Sequence, residues 1–316
     1  MSPQSLNELA KLILDCDNVS ILTHKSPDGD CVGAGLALCY YLRSKGKKAN
    51  VLNSDGIPKR YDFLSDGYEP QEFEEEYVIS VDIADTQLLG DELIGYKDKI
   101  DLCIDHHRSN KNYAEKSFVD ADASAACLIL FELFEHMGEA LDVKTASCLY
   151  TGIATDTGCF KFQNTTPSAH IAAAKLMQTG VDIEYINRRM FDIKSRGRIF
   201  AEQKVIGRMK FFEGDKIAVI TLTNEMIDGY GIDRSELDGF ASIPLTVEGV
   251  EIGVTLKQQK DTNGIFKVSV RTTSADASKL CQTFGGGGHI RAAGCTIEGT
   301  AREVTKKIVN AAKRYL

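Results

Sequence analysis

Residues 101–107 read DLCIDHH, a short apolar run that ends in one acid and two imidazoles. Three more runs of this kind occur in the first half of the chain: NVSILTH at 18–24, KANVLNSD at 48–55 and YVISVDIAD at 77–85. Their hydrophobicity is nearly continuous, which is typical of strands covered on both faces of a parallel sheet. Helical patterns accompany them: DCVGAGLALCYYLRSKG at 30–46, SAACLILFELFEHMG at 124–138 and SAHIAAAKLMQTG at 168–180. We therefore predict an α/β fold, a parallel sheet with helices on both faces.

Titratable side chains stand at the carboxyl ends of three of these strands. They are His24, Asp82 and the pair Asp105 and His106. Ligands of parallel sheets bind beyond the carboxyl ends of the strands, so one edge is expected to collect all four side chains. Imidazole and carboxylate, with no cysteine taking part, form the ligand set expected for manganese or a similar divalent ion. Two such ions close together can activate a water and hold both oxygens of a phosphoester displacement, so the pattern predicts a two-metal phosphoesterase.

The segment THKSPDGD at 23–30 offers three more candidate ligands on one loop. The spacing lets His24, Asp28 and Asp30 point into the same space. The alternative is that Asp28 or Asp30 caps the helix that follows.

Asp82 and Asp156, each taken alone, are weaker evidence for metal binding. Asp82 alone could be a solvated or capping carboxylate, but a central aspartate can also bridge two metals. Asp156 lies in TGIATDTGCF at 151–160 and could belong to a plain loop.

His107 stands next to Asp105 and His106. Three titratable side chains crowded together make a poor structural motif, so this trio favours a chemical role.

The second half of the chain changes character. Residues 188–210 are basic and polar without a cluster of glycine or proline, and we predict a helical connector there. It separates a metal-binding domain at 1–187 from a smaller α+β domain at 211–316. The smaller domain is predicted from the strands KIAVITL at 216–222, VEIGVTLKQ at 250–258 and FKVSVRT at 266–272, a turn at 262–264, and helices at 274–284 and 301–316.

The stretch FGGGGHIRAAG at 284–294 predicts an anion-binding element. Glycines such as Gly286, Gly287 and Gly288 let backbone amides approach a ligand closely. His289 and Arg291 project nearby, Arg271 could join them, and arginine offers a fork of donors for phosphate. The alternative is a flexible glycine loop with unrelated neighbours. The stretch matches neither a P-loop nor a dinucleotide fingerprint.

The composition of the chain indicates which class of ligand and which cellular location to expect. The net charge of -8 lacks the basic excess of proteins that coat long DNA or RNA, so a small anion or a very short oligonucleotide is favoured. No apolar run approaches the ~20 residues of a membrane span, and the N-terminus lacks the features of a signal peptide. The 9 cysteines include no CxxC pair, which suits free thiols in a reducing cytosol. We expect a cytoplasmic protein without membrane or long-duplex partners, and the sequence leaves a homodimer open.

The chain resembles the DHH phosphoesterase superfamily with a DHHA domain of the first type. The resemblance rests on five motifs, which are, in chain order, THKSPDGD, VDIAD, IDHH, TGIATDTGCF and GGGGHIRAAG. The resemblance covers nearly the whole chain. Residues 238–258 and 268–295 are similar to the group of bifunctional oligoribonuclease/pAp phosphatases, or nano-RNases.

The resemblance implies a role for each candidate residue. His24, Asp28 and Asp82 would hold one manganese ion, and the second would be held by Asp30, Asp82, His106 and Asp156. His107 would face the substrate phosphate, with Asp82 and Asp105 as the other catalytic residues. The nucleotide would be bound by Arg271, Gly286, Gly287, Gly288, His289 and Arg291.

The implied activity is manganese-dependent hydrolysis of short oligoribonucleotides, of 3′-phosphoadenosine 5′-phosphate (pAp), or of both. One alternative is a phosphodiesterase acting on cyclic di-AMP or on its linear product pApA. A second alternative, from another class, is a metal-free regulator that binds nucleotides without catalysis. The sequence does not choose the preferred substrate or the direction of cleavage.

Overall fold

The computed structural model describes residues 2–232, 234–260 and 264–316, and the chain divides into two compact units, Met1–Ile193 and Lys194–Leu316. Apart from Gly264, the turn predicted at 262–264 lies outside the described residues.

The first unit is built on a five-stranded sheet in the order β2-β1-β3-β4-β5, with every neighbouring pair parallel. The strands are β1 Val19–Leu22, β2 Ala49–Leu52, β3 Tyr77–Val81, β4 Leu102–Asp105 and β5 Lys116–Val119. All four residues of β1 and of β4 are buried, as the continuous apolar runs predicted. The predicted fold class is confirmed. The edge strand β5 is not evident from the sequence, because its residues KSFV form no continuous apolar run and only Ser117 is buried.

Helices cover the sheet unequally. They are α1 Leu6–Asp15, α2 Gly29–Ser44, α3 Ala126–His136, α4 Val143–Asp156, α5 Pro167–Gln178 and α6 Ile183–Asn187, followed by a π-helical turn at Arg188–Asp192. The larger hydrophobic core lies between one sheet face and α1 to α5. The opposite face packs a smaller core around Leu22, Val78 and Ile83 against the β3–β4 connection, which includes 3₁₀ turns at Thr86–Leu88 and Ile94–Tyr96. A further 3₁₀ turn spans Lys59–Leu64.

The second unit is a mixed six-stranded sheet in the order β10-β11-β9-β8-β7-β6. Its strands are β6 Lys210–Phe212, β7 Ile217–Leu222, β8 Ile252–Gln258, β9 Ile265–Thr272, β10 Gly287–Gly288 and β11 Ala292–Glu298. Among the described residues of this second sheet, β7–β8 is the only parallel pair, and the other neighbouring strands pair antiparallel. The helices are α7 Arg196–Ile206, α8 Asn224–Gly229, α9 Ala277–Gln282 and α10 Ala301–Ala312, with 3₁₀ segments at Arg234–Thr246 and Lys313–Tyr315.

Burial in this sheet follows the position of each strand. β7 carries side chains to two separate cores, one with α10 and one with α7 and α8, so nearly all its residues are buried. β9 and β11 alternate between buried and more accessible residues, because one of their faces is less covered. The predicted α+β character of the second half is confirmed.

Within the described part of the chain, no helix has both the length and the hydrophobicity that crossing a membrane requires. The cysteines are all free, and only Cys159 is not buried.

Candidate active site

The carboxyl edge of the parallel sheet gathers the predicted site residues of the first unit. His24 comes two residues after β1, Asp82 directly follows β3, and Asp105 is the last residue of β4 with His106 next to it. Because β1, β3 and β4 are neighbours in the sheet, these side chains meet at one edge.

His106 faces three carboxylates. Its Nε2 lies 3.3 Å from Asp156 Oδ2, 3.4 Å from Asp82 Oδ1 and 3.8 Å from Asp30 Oδ2. Asp82 Oδ1 and His106 Nε2 are both buried, and neither has a hydrogen-bond partner. Buried polar atoms are nearly always paired, so an unpaired nitrogen and oxygen facing each other point to a missing cation.

Asp82 also faces a second group on its other side. Its Oδ2 lies 3.7 Å from His24 Nε2, and that nitrogen is 3.8 Å from Asp28 Oδ1. Asp82 is only 2 % exposed and has the left-handed backbone angle φ of 58°, which is strained for a residue with a side chain. Its N–H is fixed by a hydrogen bond of 2.9 Å to Ile104 O. One buried carboxylate thus faces His24 with one oxygen, and His106 and His107 with the other.

The capping alternative holds in part for the loop aspartates. Asp28 is the N-cap of α2 and accepts a hydrogen bond of 3.0 Å from the N–H of Cys31. Asp30 is fully buried and accepts from the N–H groups of Ala126 at 2.6 Å and Cys127 at 2.9 Å, at the start of α3. These bonds fix both carboxylates in place while they still face His24 and His106.

Asp156 does not lie in a plain loop, and that interpretation is wrong. It is the last residue of α4, where the helix dipole disfavours a negative charge. Two close contacts hold α4 beside the α2 loop. A Cβ atom on Gly29 would overlap the Thr155 side chain, and one on Gly152 would come within 2.7 Å of Asp30 Oδ1. Glycine at these two positions therefore lets the carboxylates of both helices reach one site.

Burial and mutual repulsion perturb the acids and bases of this site. Burial alone would lower the pKa of His106, but the carboxylates of Asp82 and Asp30 raise it to about 10. Burial, together with the charge of Asp82, raises the pKa of Asp30 to about 7. Burial and the charge of Asp30 raise the pKa of Asp156 well above its usual range. The site therefore crowds negative charge in a poorly solvated place, which a bound cation would relieve.

A second network fixes His107. Its Nδ1 lies 2.8 Å from Asp105 Oδ1, which also accepts from the N–H groups of His106 and His107. The other oxygen of Asp105 accepts from Asn110 Nδ2 at 2.6 Å. Burial alone would raise the pKa of Asp105, but the bonds from His107 and Asn110 lower it, and the bond to Asp105 raises the pKa of His107. With both oxygens engaged in these bonds, Asp105 orients His107.

The glycine stretch of the second unit is a hairpin rather than a flexible loop. Gly287 and Gly288 form β10 and pair with Gly294 and Ala293 of β11. The His289 N–H donates to Ala292 O at 2.8 Å and closes the turn.

Three basic residues lie on this hairpin and on its neighbouring strand. His289 and Arg291 are exposed, while Arg271 sits on β9 directly opposite Ala292. Arg291 Nη1 donates to Ala275 O at 3.0 Å. Backbone pairing thus places these three residues on neighbouring segments, and their contact with an anion stays a prediction.

Two family models match the chain. The DHH family N-terminal domain matches residues 18–153, and the DHHA1 domain matches residues 214–316. The chain therefore contains a DHH domain followed by a DHHA1 domain. The carboxyl-edge site therefore lies in the DHH domain, apart from Asp156 just beyond the matched residues, and the glycine hairpin lies in the DHHA1 domain.

Similar proteins extend over most of the chain. The bifunctional oligoribonuclease and PAP phosphatase NrnA of Thermus thermophilus is 29% identical over 289 residues, covering 89% of this chain and 84% of that protein. The cyclic-di-AMP phosphodiesterase GdpP of Geobacillus thermodenitrificans is 24% identical and covers 89% of this chain but 45% of that protein. The crystal structure of an exopolyphosphatase-related protein from Bacteroides fragilis superposes with a TM-score of 0.87 at 26% identity, covering 98% and 96% of the two chains. This chain is a hydrolytic enzyme of the DHH phosphoesterase class.

The sequence analysis missed two residues of the DHH site. Asn110 donates a hydrogen bond to Asp105. The sequence feature that could have indicated this contact is an amide side chain in the polar loop after His107. Cys31 was excluded by the expectation that no cysteine takes part. Its sulfur nevertheless accepts the His24 N–H at 3.1 Å, and His24, Cys31 and Asp82 offer ligand atoms within 4.8 Å of one another.

Proposed function

We propose that this enzyme is a divalent-metal phosphoesterase that hydrolyses short oligoribonucleotides and pAp. The proposal rests mainly on the position of Asp82, because its two oxygens face His24 and His106 separately. A carboxylate in this arrangement suits a bridge between two ions. The similarity to the Thermus thermophilus oligoribonuclease and PAP phosphatase supports the substrate class.

The donor set fits two cations. Imidazole and carboxylate suit manganese, and the unpaired buried atoms of Asp82 and His106 lack a positive partner. We assign His24, Asp28 and Asp82 to one ion, and the second to Asp30, Asp82, His106 and Asp156. Two divalent ions, proposed to be manganese, would supply an activated water and stabilise charge on the phosphoryl oxygens.

His107 is proposed to contact the substrate phosphate. Asp105 holds its Nδ1, so the ring keeps one orientation and leaves its other nitrogen for a ligand. The raised pKa of His107 favours the protonated ring, which donates to an anion. Asp105 and Asn110 act through His107 and are positioning residues.

Substrate binding is proposed to need the DHHA1 hairpin. Two divalent ions would roughly offset the carboxylates of Asp28, Asp30, Asp82 and Asp156, so the metal site alone would attract an anion weakly. Arg271, His289 and Arg291, with the amides of Gly286, Gly287 and Gly288, would supply the missing attraction.

A phosphodiesterase acting on cyclic di-AMP is the second candidate, because a cyclic-di-AMP phosphodiesterase matches 89% of this chain. The test is a parallel assay of the purified protein with manganese on pAp, pApA, cyclic di-AMP and RNA from the dinucleotide to the decamer. The proposal expects the fastest turnover on pAp and the shortest RNA. Turnover confined to cyclic di-AMP and pApA would favour the second candidate. No metal-dependent turnover at all would favour a nucleotide-binding regulator.

We also propose a cytoplasmic location, because buried free cysteines suit a reducing compartment.

A further inference from the structure

Cys31 places a sulfur atom inside the metal site. It lies in the first turn of α2, next to Asp30, and is fully buried. Its Sγ accepts a hydrogen bond of 3.1 Å from the backbone N–H of His24. The ligand atoms of Cys31, His24 and Asp82 all lie within 4.8 Å of one another. A single ion among them would have three different donor types within reach.

The neighbours of this sulfur are oriented as ligands. His24 Nδ1 is engaged by Lys25 O at 2.8 Å, which leaves Nε2 to face Asp82. Asp82 is almost completely buried, and its Oδ1 has no hydrogen-bond partner.

Two other buried thiols behave differently. Cys39, on the same helix, donates to Ala49 O at 3.3 Å, and Cys16 donates to Ile13 O at 3.2 Å. Each of these two thiols bonds to a nearby carbonyl, as an ordinary core cysteine does. The sulfur of Cys31 instead accepts a bond beside two metal-ligand candidates.

We propose that Cys31 Sγ is a ligand of the ion held by His24 and Asp82. The inference rests on the proposed metal-dependent function. Sulfur is a soft donor, so it would strengthen the binding of a thiophilic divalent ion, such as zinc, cobalt or ferrous iron, more than that of manganese at this position. The group of Asp30, His106 and Asp156 offers only nitrogen and oxygen and keeps the preference for a harder ion. The two positions of the site are therefore chemically unequal.

Cobalt substitution tests the sulfur ligand without an activity assay. Metal-free full-length protein is titrated with Co²⁺ and its absorption spectrum is recorded. A thiolate ligand produces an intense sulfur-to-cobalt charge-transfer band in the near ultraviolet, whereas nitrogen and oxygen ligands give only weak visible bands. We expect the intense band in the unmodified protein, its loss in Cys31→Ser, and its retention in the control Cys39→Ser.

Calorimetry provides the second readout. Loss of a direct ligand should weaken zinc binding by at least the roughly ten- to hundredfold that loss of an outer-shell partner costs. We expect Cys31→Ala to lose zinc affinity to this extent while manganese affinity changes much less. Circular dichroism of both Cys31 variants shows whether each is folded.

The outcomes separate this inference from the function on which it rests. Cobalt binding with visible bands only would overturn the sulfur ligand and leave the metal site intact. A charge-transfer band that survives in folded Cys31→Ser would also overturn it. Absence of any cobalt binding would overturn both the inference and the proposed metal-dependent function.

Discussion

At the residue scale, Asp82 has three features that each reduce the stability of the fold. It combines near-complete burial, a left-handed backbone and an oxygen without a hydrogen-bond partner. Each of these features costs stability unless a ligand compensates it. A carboxylate kept in such a place is best explained by the ions it would bridge.

Replacement of Asp82 should therefore be the most damaging single change. We expect Asp82→Ala to lose more than about a hundredfold in kcat/KM, above the range for an outer-shell partner, because both ions would be disturbed. Steady-state kinetics on pAp and elemental analysis measure the effect, with the exposed Asp122→Ala as the control. Near-normal turnover in Asp82→Ala would remove the two-metal interpretation.

Asn110 is proposed to act on the reaction indirectly, through Asp105 and His107. Its amide holds Asp105, which in turn holds His107. We expect Asn110→Ala to reduce kcat by about ten- to hundredfold with little change in metal content, because only the orientation of His107 is lost. The exposed neighbour Ser109→Ala should behave like the unmodified enzyme. A variant of Asn110 with full kcat would show that this network does not position His107.

At the scale of elements, the site depends on how α2 and α4 approach each other. Gly152 of α4 faces Asp30 of α2 and Cys127 of α3 without room for a methyl group. The glycine thus serves packing and site geometry together.

Adding a methyl group there should destabilise the fold. We expect Gly152→Ala to lower the free energy of unfolding by about 1–3 kcal/mol, since overpacking forces neighbouring atoms apart. Gly95→Ala is the matched control, because a Cβ atom there meets nothing within 4 Å. Urea unfolding measures both variants, and an unchanged Gly152→Ala midpoint would contradict the packing argument.

The glycine hairpin gives a different prediction. We expect Arg291→Ala and His289→Ala mainly to raise KM while bound manganese stays constant, because these side chains would contact substrate and not metal. Lys306→Ala removes a positive charge elsewhere in the same domain and serves as the control. Manganese loss from the hairpin variants, seen by elemental analysis, would show that the hairpin has another role.

The sequence predicted β1 to β4, and the edge where His24, Asp82 and Asp105 meet, because nearly continuous apolar runs are followed by polar residues. It did not predict α4, because Thr145, Ala146 and every residue from Cys148 to Ala154 are buried and leave no amphipathic period. Cys31 was missed for another reason. Its distance to Asp82 depends on how α2 packs over the sheet, and no local pattern encodes that distance.

At the scale of the whole molecule, charge limits the substrate. The net charge of -8 gives no long basic track for nucleic acid. In the proposed function, attraction would come from the few basic groups of the hairpin and from bound metal.

Turnover should therefore depend on substrate length. We expect it to be highest for pAp and for RNA of about two to four nucleotides and to fall steeply beyond, with weak salt dependence because few phosphates are contacted. Time courses at equal substrate concentration measure this. A long RNA consumed as fast as a dinucleotide would instead indicate a processive exonuclease.

Metal dependence is the most direct test of the account. The protein is freed of metal with a chelator, checked by elemental analysis, and assayed on pAp and on a ribonucleotide dimer before and after adding manganese or calcium. The account predicts no measurable hydrolysis without metal, recovery with manganese and much weaker recovery with calcium. Full hydrolysis by protein shown to be metal-free would contradict it.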